Sequence, residues 1–272
     1  MWRWAGETMK RVRYYIRLLF AFIRISLLSQ MEYRLNFISG VCVESAYMCI
    51  KLTYLIVVIK TGVYIGALSP DMVMIFVGTY CFMTGVWMML NGVNSIPAKV
   101  LAGQMDMLMV KPGSLQFMQT FGSFDFAMTC PNVTVGIILI CSGWARAGIP
   151  VTFTSLGGFL FFLLTGIILT YAVTLIPALL VFWVTSVNGV YTLFSALWDF
   201  NNMPMALYGK TIQRIGTFII PVFMLTNWAG LFALKQLSAV QIIWGIVLPA
   251  IMLLVTRLMW KRGMRRYTSA NG

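Results

Sequence analysis

Residues 147–198 read AGIPVTFTSLGGFLFFLLTGIILTYAVTLIPALLVFWVTSVNGVYTLFSALW, and these 52 residues contain no Asp, Glu, Lys or Arg. As one helix the run would be roughly 78 Å long, at about 1.5 Å per residue. The hydrocarbon core of a bilayer is only about 30 Å thick. The run must therefore cross a membrane at least twice, which predicts an integral membrane protein.

The composition of the whole chain agrees with a membrane protein and argues against catalysis. The 272 residues are 60% hydrophobic and 10% charged, with a mean hydropathy of +0.86. Histidine is absent, which removes the commonest metal ligand, and the five cysteines form no C-x-x-C pair. The seven acidic residues form no pair spaced like a hydrolytic site. The sequence therefore predicts neither catalytic nor metal-binding residues.

Outward from the charge-free run, hydropathy predicts an all-α protein with six transmembrane helices in residues 37–256. The run itself supplies the fourth and fifth spans, with a kink at Pro177. A turn is predicted near Ser186, Asn188 and Gly189, because Asn-Gly is a strong turn signal. The first three predicted spans cover residues 37–59, 72–96 and 115–141. The fourth begins near residue 151, the fifth ends near residue 198, and the sixth covers residues 240–255.

Both ends of the chain are basic. Residues 1–36 are predicted to form a cytoplasmic tail with an amphipathic helix, over residues 9–30, at the membrane interface. The alternative is that this helix is the start of the first span, with basic residues flanking it. Residues 257–272 form a basic cytoplasmic tail, and bases that flank apolar runs favour orientation and anionic lipid over nucleic acid. The bases that share one side of the first helix are Lys10, Arg13, Arg17 and Arg24.

A second apolar run, residues 215–234, is long enough to be a seventh span, but we interpret it as part of a re-entrant hairpin over about residues 203–236. With six spans both termini lie on the cytoplasmic side. The cytoplasmic segments then hold 14 Lys or Arg, and the outer segments hold five. Of the 14, seven lie before the first span, two between the second and third spans, and five after the last span. This is the bias of the positive-inside rule. Pro221 and the polar TNWAG that follows also interrupt the run, and irregular backbone at this depth is tolerated where protein covers it.

In this topology the stretch LAGQMDMLMVKPG, residues 101–113, lies in the cytoplasm between the second and third spans. Residues 98–110 are predicted to be helical, and Pro112-Gly113 ends the helix. A short, partly apolar helix on an inner loop is a docking surface for a cytoplasmic partner, and the alternative is a helix that rests on lipid headgroups. The residues that would form its apolar face are Leu101, Met105, Leu108 and Met109.

Four stretches, in order along nearly the whole chain, resemble motifs of a branch of the ABC type-2 exporter permeases. GQMDMLMVKP, residues 103–112, resembles the pattern G-x-L-D-x-L-L-x-R-P, with Lys111 in place of Arg and Met105 and Met109 in place of two Leu. The other three are EYR at 32–34 before the first span, MPMALY at 203–208, which is similar to F-P-x-x-x-Y, and FIIPVF at 218–223, which is similar to an I-I-P segment.

The resemblance implies a six-span permease with a coupling helix, over about residues 98–112, that lies in a cleft of an ATPase. It also implies an outer re-entrant hairpin and two permease subunits, of the same or different chains, above two ABC ATPase subunits that bind ATP and Mg²⁺. This chain has no G-x-x-x-x-G-K-[ST] motif, so ATP hydrolysis is expected on the partner. Met105, Leu108 and Met109 are expected to bury against the ATPase, with Asp106 or Lys111 at the rim. The full set of expected coupling residues is Leu101, Met105, Asp106, Leu108, Met109 and Lys111.

Charged residues within the predicted membrane domain are the candidates for the transport path. The first span carries Glu44 and Lys51, and the candidates are the acidic residues Glu44 on the first span, Asp125 in the third and Asp199 at the end of the fifth. The alternative for each is a structural role, in which its side chain extends to the membrane surface or forms a hydrogen bond with a neighbouring helix. The 20 methionines and abundant aromatic residues suit an amphipathic substrate such as a peptide, a lipid-like molecule or a drug.

Two classes of function follow from these observations. The first is the permease subunit of an ATP-driven exporter in the plasma membrane of a prokaryote, with both termini cytoplasmic. The alternative is a membrane channel or scaffold protein with no coupled ATPase.

Overall fold

The structure, a computed structural model, describes residues 2–184 and 188–267. These residues form fourteen α-helices and no strand, which confirms the all-helical fold class. The helices are α1 (Trp2–Glu32), α2 (Arg34–Thr61), α3 (Pro70–Met89), α4 (Asn91–Asn94), α5 (Ile96–Leu101), α6 (Asp106–Met109), α7 (Leu115–Phe121), α8 (Phe126–Arg146), α9 (Phe153–Leu179), α10 (Asn188–Asp199), α11 (Lys210–Arg214), α12 (Val222–Thr226), α13 (Trp228–Ala233) and α14 (Ala239–Arg266).

Five of the described helices are long and apolar enough to cross a membrane: α2, α3, α8, α14, and α9 with the 3-10 turn that extends it to Phe182. Three of them begin at a hydroxyl side chain. Ser69 caps α3 by accepting from the backbone N–H of Met72, and Thr152 and Ser238 form capping boxes at the starts of α9 and α14. Because the first N–H groups of a helix have no internal partner, these side chains fix where the helices start.

Helices α3, α9 and α14 run in one direction, and α8 runs in the opposite one. Gly245, near the start of α14, faces Phe162, near the start of α9, and Gly263 faces Phe182 at the other end. Met83 of α3 likewise lies beside Gly166 in the middle of α9, and Leu90 clusters with residues near the end of α9. The chain between α9 and α14 must therefore return along the length of the bundle.

The closest pair of helices is α3 and α8, which meet through glycines. A Cβ atom on Gly78 would lie 2.7 Å from the backbone nitrogen of Ile140, and one on Gly136 would lie 2.6 Å from that of Phe82. Both distances are too short for a real side chain. Small residues of this kind let the backbones of membrane helices approach each other, so that dispersion contacts hold the pair together.

The third predicted span, over residues 115–141, is divided in two, and this corrects the sequence interpretation. The break lies between α7 and α8, where Phe124 donates its N–H to Ser26 Oγ at 3.1 Å and Gln30 bonds the backbone of Phe124 and Phe126. Side chains of α1 thus replace the helical hydrogen bonds that the break removes. Asp125 lies at the start of α8 and not inside a span.

Two further boundaries differ from the prediction. The second span ends at Met89 and not near residue 96, and short helices follow it. Asn188 and Gly189 form no turn, because they begin α10; Ser186 lies outside the described residues. Helix α10 has only 12 residues, fewer than the roughly 20 that a membrane-spanning helix needs.

The apolar run over residues 215–234 is not a continuous helix. It begins as a π-helix (Ile215–Ile219), breaks at Ile220 and Pro221, and continues as α12 and α13. Trp228 and Phe223 are fully buried, and α12 and α13 pack between α3 and α9. This run therefore forms part of the central core.

Candidate functional site

The segment between α3 and α7 carries the predicted coupling residues, and it is not the single helix that the sequence predicts over residues 98–110. Helix α5 ends at Leu101, and Gly103 follows with φ of +68°, which is left-handed backbone that glycine adopts readily. The four-residue helix α6 comes after this turn. The helical periodicity of α5 does not continue past Gly103, so the single apolar face predicted over residues 98–110 does not form.

Met105 is fully buried inside this chain, which corrects its expected place on an exposed face. It belongs to a cluster at the end of the bundle, which we call the inner cluster. Its sulfur accepts a hydrogen bond from Gln119 Nε2 at 3.2 Å. Met105 therefore stabilises the segment and has no surface left for a partner. The other buried members of the inner cluster are Leu90, Val93, Ile96, Leu175, Ala178, Leu179 and Trp260, and Leu108 packs against them.

Four large apolar side chains of the segment are exposed, on both sides of the break at Gly103, and we call these four residues the apolar ridge. Leu101 and Met109 belong to it, as predicted for an exposed face, and Met107 and Val110 were not expected there. Their exposed fractions are large for apolar side chains, at 58% for Leu101, 67% for Met107, 49% for Met109 and 84% for Val110. Exposed apolar side chains so close together in the chain make the apolar ridge a candidate interaction site.

Helix α1 holds this segment in place. The Tyr14 hydroxyl donates to the carbonyl of Pro112 at 2.7 Å, and the N–H of Ser114 donates to the Tyr15 hydroxyl at 2.9 Å. Gly113 lies between these two contacts with φ of +124°, a backbone conformation that other residues rarely adopt. The amphipathic helix is therefore a clamp on the loop, whatever else it contacts.

The charged residues of the segment face different surroundings. Lys99 donates to Gln119 Oε1 at 2.9 Å, and its partial burial, with Lys111 nearby, lowers the pKa of its ammonium group. Asp106 is half-buried beside Tyr267, and burial, followed by that carboxylate, raises the pKa of the Tyr267 hydroxyl. Lys111 is exposed. Of the two predicted rim residues, Lys111 is thus the more accessible to a partner.

A cavity of about 540 Å³ lies between the ends of α3 and α9 and helix α10. Trp87 and Trp198 stack in its wall, with ring centroids 5.1 Å apart and planes at 21°. Asp199 is exposed and lines the same cavity, together with hydroxyl groups of threonine and serine. The lining therefore combines two stacked aromatic rings with hydroxyl groups and one carboxylate. It comprises Trp87, Asn94, Val173, Thr174, Pro177, Thr192, Ser195, Ala196, Trp198 and Asp199.

Glu44, the second predicted transport residue, lies elsewhere. Its side chain is buried between α2 and α8, where Oε1 accepts a hydrogen bond from Asn132 Nδ2 at 2.7 Å. Asn132 also donates to the Met128 carbonyl at 2.9 Å, one turn earlier in α8. Glu44 therefore links two helices, as its structural alternative expects. Asn132 is the one residue of α8 with a carboxamide side chain, and this is the sequence signal that could have indicated it as a partner of Glu44.

Asp125, the third predicted transport residue, caps α8 by accepting from the N–H of Met128 at 3.2 Å. A carboxylate at a helix start is satisfied by the orphan N–H groups there. The structure does not bring Glu44, Asp125 and Asp199 together, and only Asp199 lines the cavity. The stacked tryptophans beside it have no motif in the sequence that would identify them.

Comparison with known proteins gives one match. A protein-family model described as "ABC-2 family transporter protein" matches residues 45–271, from the fourth turn of α2 almost to the end of the sequence. No curated protein and no solved structure matches.

Proposed function

Because this chain belongs to the ABC-2 family of transporter proteins, we propose that it is the membrane-spanning permease subunit of an ATP-driven exporter. Members of this family are membrane subunits that associate with an ABC ATPase, and they are generally not catalytic themselves. The observation that carries the proposal is the family match across both the membrane helices and the segment with the apolar ridge.

The connection between α9 and α14 supplies a sixth crossing of the membrane. These two helices are parallel, so the chain has to return between them. Helix α10 lines a cavity with Thr174 near the end of α9, and Ala206 lies beside Gly66 in the loop between α2 and α3. Residues 188–207 thus connect the two sides as a short helix and two 3-10 turns. This path, with the excess of bases at both ends of the chain, supports six crossings and cytoplasmic termini in a prokaryotic plasma membrane.

Residues 210–233 then form the re-entrant hairpin. Leu225 lies beside Gly166 in the middle of α9, and Phe232 lies beside Gly158 near its start. The second arm of the hairpin therefore climbs towards the outer side, and the break at Ile220–Pro221 is its inner tip. The carbonyl of Thr217 in the π-helix accepts a hydrogen bond from Trp244 Nε1 at 3.1 Å, which satisfies one backbone group of the irregular stretch, as the membrane interior requires.

The apolar ridge is the surface that docks on the ATPase. It is exposed, it lies on the loop between α3 and α7, and the tyrosines of α1 and the buried Met105 fix its backbone. A rigid, exposed apolar loop can transmit a movement of the ATPase to the bundle. Two ATPase subunits, which hold ATP and Mg²⁺, and a second permease subunit of the same or a different chain complete the transporter.

The cavity beside α10 belongs to the transport path. Its stacked tryptophans provide apolar contact area and Asp199 provides a negative charge, and both suit an amphipathic substrate. Glu44 and Asp125 are bonded within the chain and act as structural residues in this proposal.

The coupling surface is tested by Met107→Ala with Met109→Ala. Truncating well-buried interface anchors costs on the order of 2 kcal/mol, so co-purification with the ATPase should fall about 30-fold and substrate-stimulated ATP hydrolysis should be lost. Val63→Ala with Val151→Ala, two exposed apolar positions in the loops after α2 and α8, is the matched control. Unchanged association and unchanged stimulation in the ridge variant would refute the docking surface.

A further inference from the structure

A basic groove lies at the C-terminal end of α14, separate from the apolar ridge and from the cavity beside α10. It encloses about 640 Å³. Three cations line one wall at intervals of four residues along α14: Arg257, Lys261 and Arg265. Side chains four residues apart share one face of a helix, so the three charges form a column. The described residues that line this groove include no Asp or Glu. They are Tyr15, Gly113, Ser114, Leu115, Gln116, Arg257, Trp260, Lys261, Met264 and Arg265.

The opposite wall is fixed by hydrogen bonds. Arg257 Nη1 donates to Gln116 Oε1 at 2.7 Å across the groove, and the Tyr15 hydroxyl accepts from the N–H of Ser114 at 2.9 Å. A guanidinium has five N–H donors in a planar fork, so Arg257 keeps donors for another acceptor. Trp260, which is buried, forms part of the base of the groove. The groove is therefore a concave, preorganised site with excess positive charge.

The depth of the groove corresponds to the lipid headgroups. About 20 residues of helix cross the hydrocarbon core, so α14, which starts at Ala239, leaves it near residue 258. The headgroup layer is roughly 5 to 8 Å thick on each side. At about 1.5 Å per residue, Lys261 lies about 5 Å and Arg265 about 10 Å beyond that boundary. The column of cations therefore spans the headgroup layer, with Arg257 at its inner edge.

An apolar track continues from the column into the hydrocarbon. Leu254 and Leu258 are exposed at 60% and 43%, and helical spacing puts them on the same face as Lys261 and Arg265. A soluble phosphate would have no use for this track, whereas an acyl chain would lie along it. From the geometry of the groove and the track together, we propose that this site binds the phosphate headgroup of an anionic phospholipid.

Lipid in this groove would support the segment that carries the apolar ridge. Trp260 belongs to the inner cluster with Met105, and Met264 packs against that cluster. Ser114 and Gln116, on the other wall, follow the segment directly in the chain. An occupied groove thus ties α14 to the loop between α3 and α7, and an anionic lipid becomes a structural partner of the coupling loop.

The test uses the purified permease chain alone in detergent, so its result does not depend on an ATPase. Native mass spectrometry counts retained phosphatidylglycerol, with phosphatidylcholine and soluble glycerol 1-phosphate as separate arms. The variant is Lys261→Gln with Arg265→Gln. One cation near an anionic lipid surface contributes about fivefold to binding, so the affinity for phosphatidylglycerol should fall on the order of 20-fold.

The matched control is Arg262→Gln with Arg266→Gln, which removes two charges from the same helix, one position further along and outside the groove lining. It should retain phosphatidylglycerol within about twofold of the unmodified chain. Equal losses in both variants, or equal retention of phosphatidylcholine, would overturn the proposal. Glycerol 1-phosphate binding as tightly as the lipid would assign the site to a soluble phosphate. The variant Lys261→Gln with Arg265→Gln could also retain the lipid but lose co-purification with the ATPase. That result would make the groove a protein interface and would overturn the lipid proposal.

Discussion

Helices α3 and α8 meet backbone to backbone through glycines, whereas residues 188–233 are divided into short helices that polar side chains hold together. In the broken region, Asn227 Oδ1 accepts from the N–H of Met205 at 2.9 Å, and Thr226 Oγ1 donates to Asn201 Oδ1 at 2.9 Å. A continuous helix satisfies its own backbone and can pack by shape alone, but a broken one needs side-chain partners for the groups that each break frees. The two regions should therefore respond to different substitutions.

The largest effect is expected for Gly136→Val, in the α3–α8 pair. The new side chain would meet the backbone of α3 at Phe82, which cannot move without separating the helices. Overpacking against backbone should destabilise the protein by more than about 3 kcal/mol and leave little folded chain. Gly157→Val is the control, since a Cβ there meets nothing within 4 Å. The folded fraction is measured by size-exclusion chromatography of fluorescently tagged protein, and similar losses for both variants would contradict the contact.

A smaller effect is expected for Asn227→Ala, in the broken region. The substitution leaves the N–H of Met205 without its acceptor, and one such hydrogen bond in a membrane protein is worth about 1 to 2 kcal/mol. Thermal unfolding in detergent should show a modest loss of stability, and a cysteine placed at Ala206 should become more reactive. Asn91→Ala, at an exposed asparagine in α4, should leave both readouts unchanged. If Asn227→Ala were as damaging as Gly136→Val, the contrast between the two regions would be lost.

The smallest effect on stability is expected for Asp199→Asn, because this residue is exposed in the cavity. The free energy of unfolding should change by less than about 0.5 kcal/mol. Export of a cationic dye should nevertheless fall by about two- to fivefold relative to a neutral dye of similar shape, since one exposed charge pair is lost. Glu32→Gln, at an exposed carboxylate outside the cavity, is the comparison. Equal export of both dyes by Asp199→Asn would remove Asp199 from the transport path.

Much of the helical architecture could be predicted from hydropathy, because five long apolar runs have no alternative to helices in a membrane. The breaks were harder to predict. Gly103 divides the segment over residues 98–112 through a left-handed backbone conformation, whereas by hydrophobic periodicity it is one more helical position. The division before α8 depends on Ser26 and Gln30 of a distant helix, and no local pattern records this contact.

For the segment that carries the predicted coupling residues, the sequence indicates exposed apolar side chains but not which of them are exposed. Sequence spacing predicts residues 101–112 as the docking segment, and the exposed apolar side chains of the apolar ridge lie on it. Spacing cannot tell which apolar side chains face the bundle, so Met105 was expected to be exposed although it is fully buried. The cavity depends on Trp87 and Trp198, which are more than 100 positions apart and meet only in the folded chain.

The tyrosine clamp of α1 has a consequence for how the chain is made. Tyr14 and Tyr15 contact residues that follow them by 98 and 99 positions. At a synthesis rate of about 5 to 20 residues per second, α1 leaves the ribosome about 5 to 20 s before Pro112 and Ser114 exist. During that interval a basic amphipathic helix has the surface of the membrane as its natural resting place. Helix α1 is thus fixed only after α2 and α3, the first pair of crossings, have been synthesised, and substitutions of either tyrosine should delay maturation more than they weaken the finished protein.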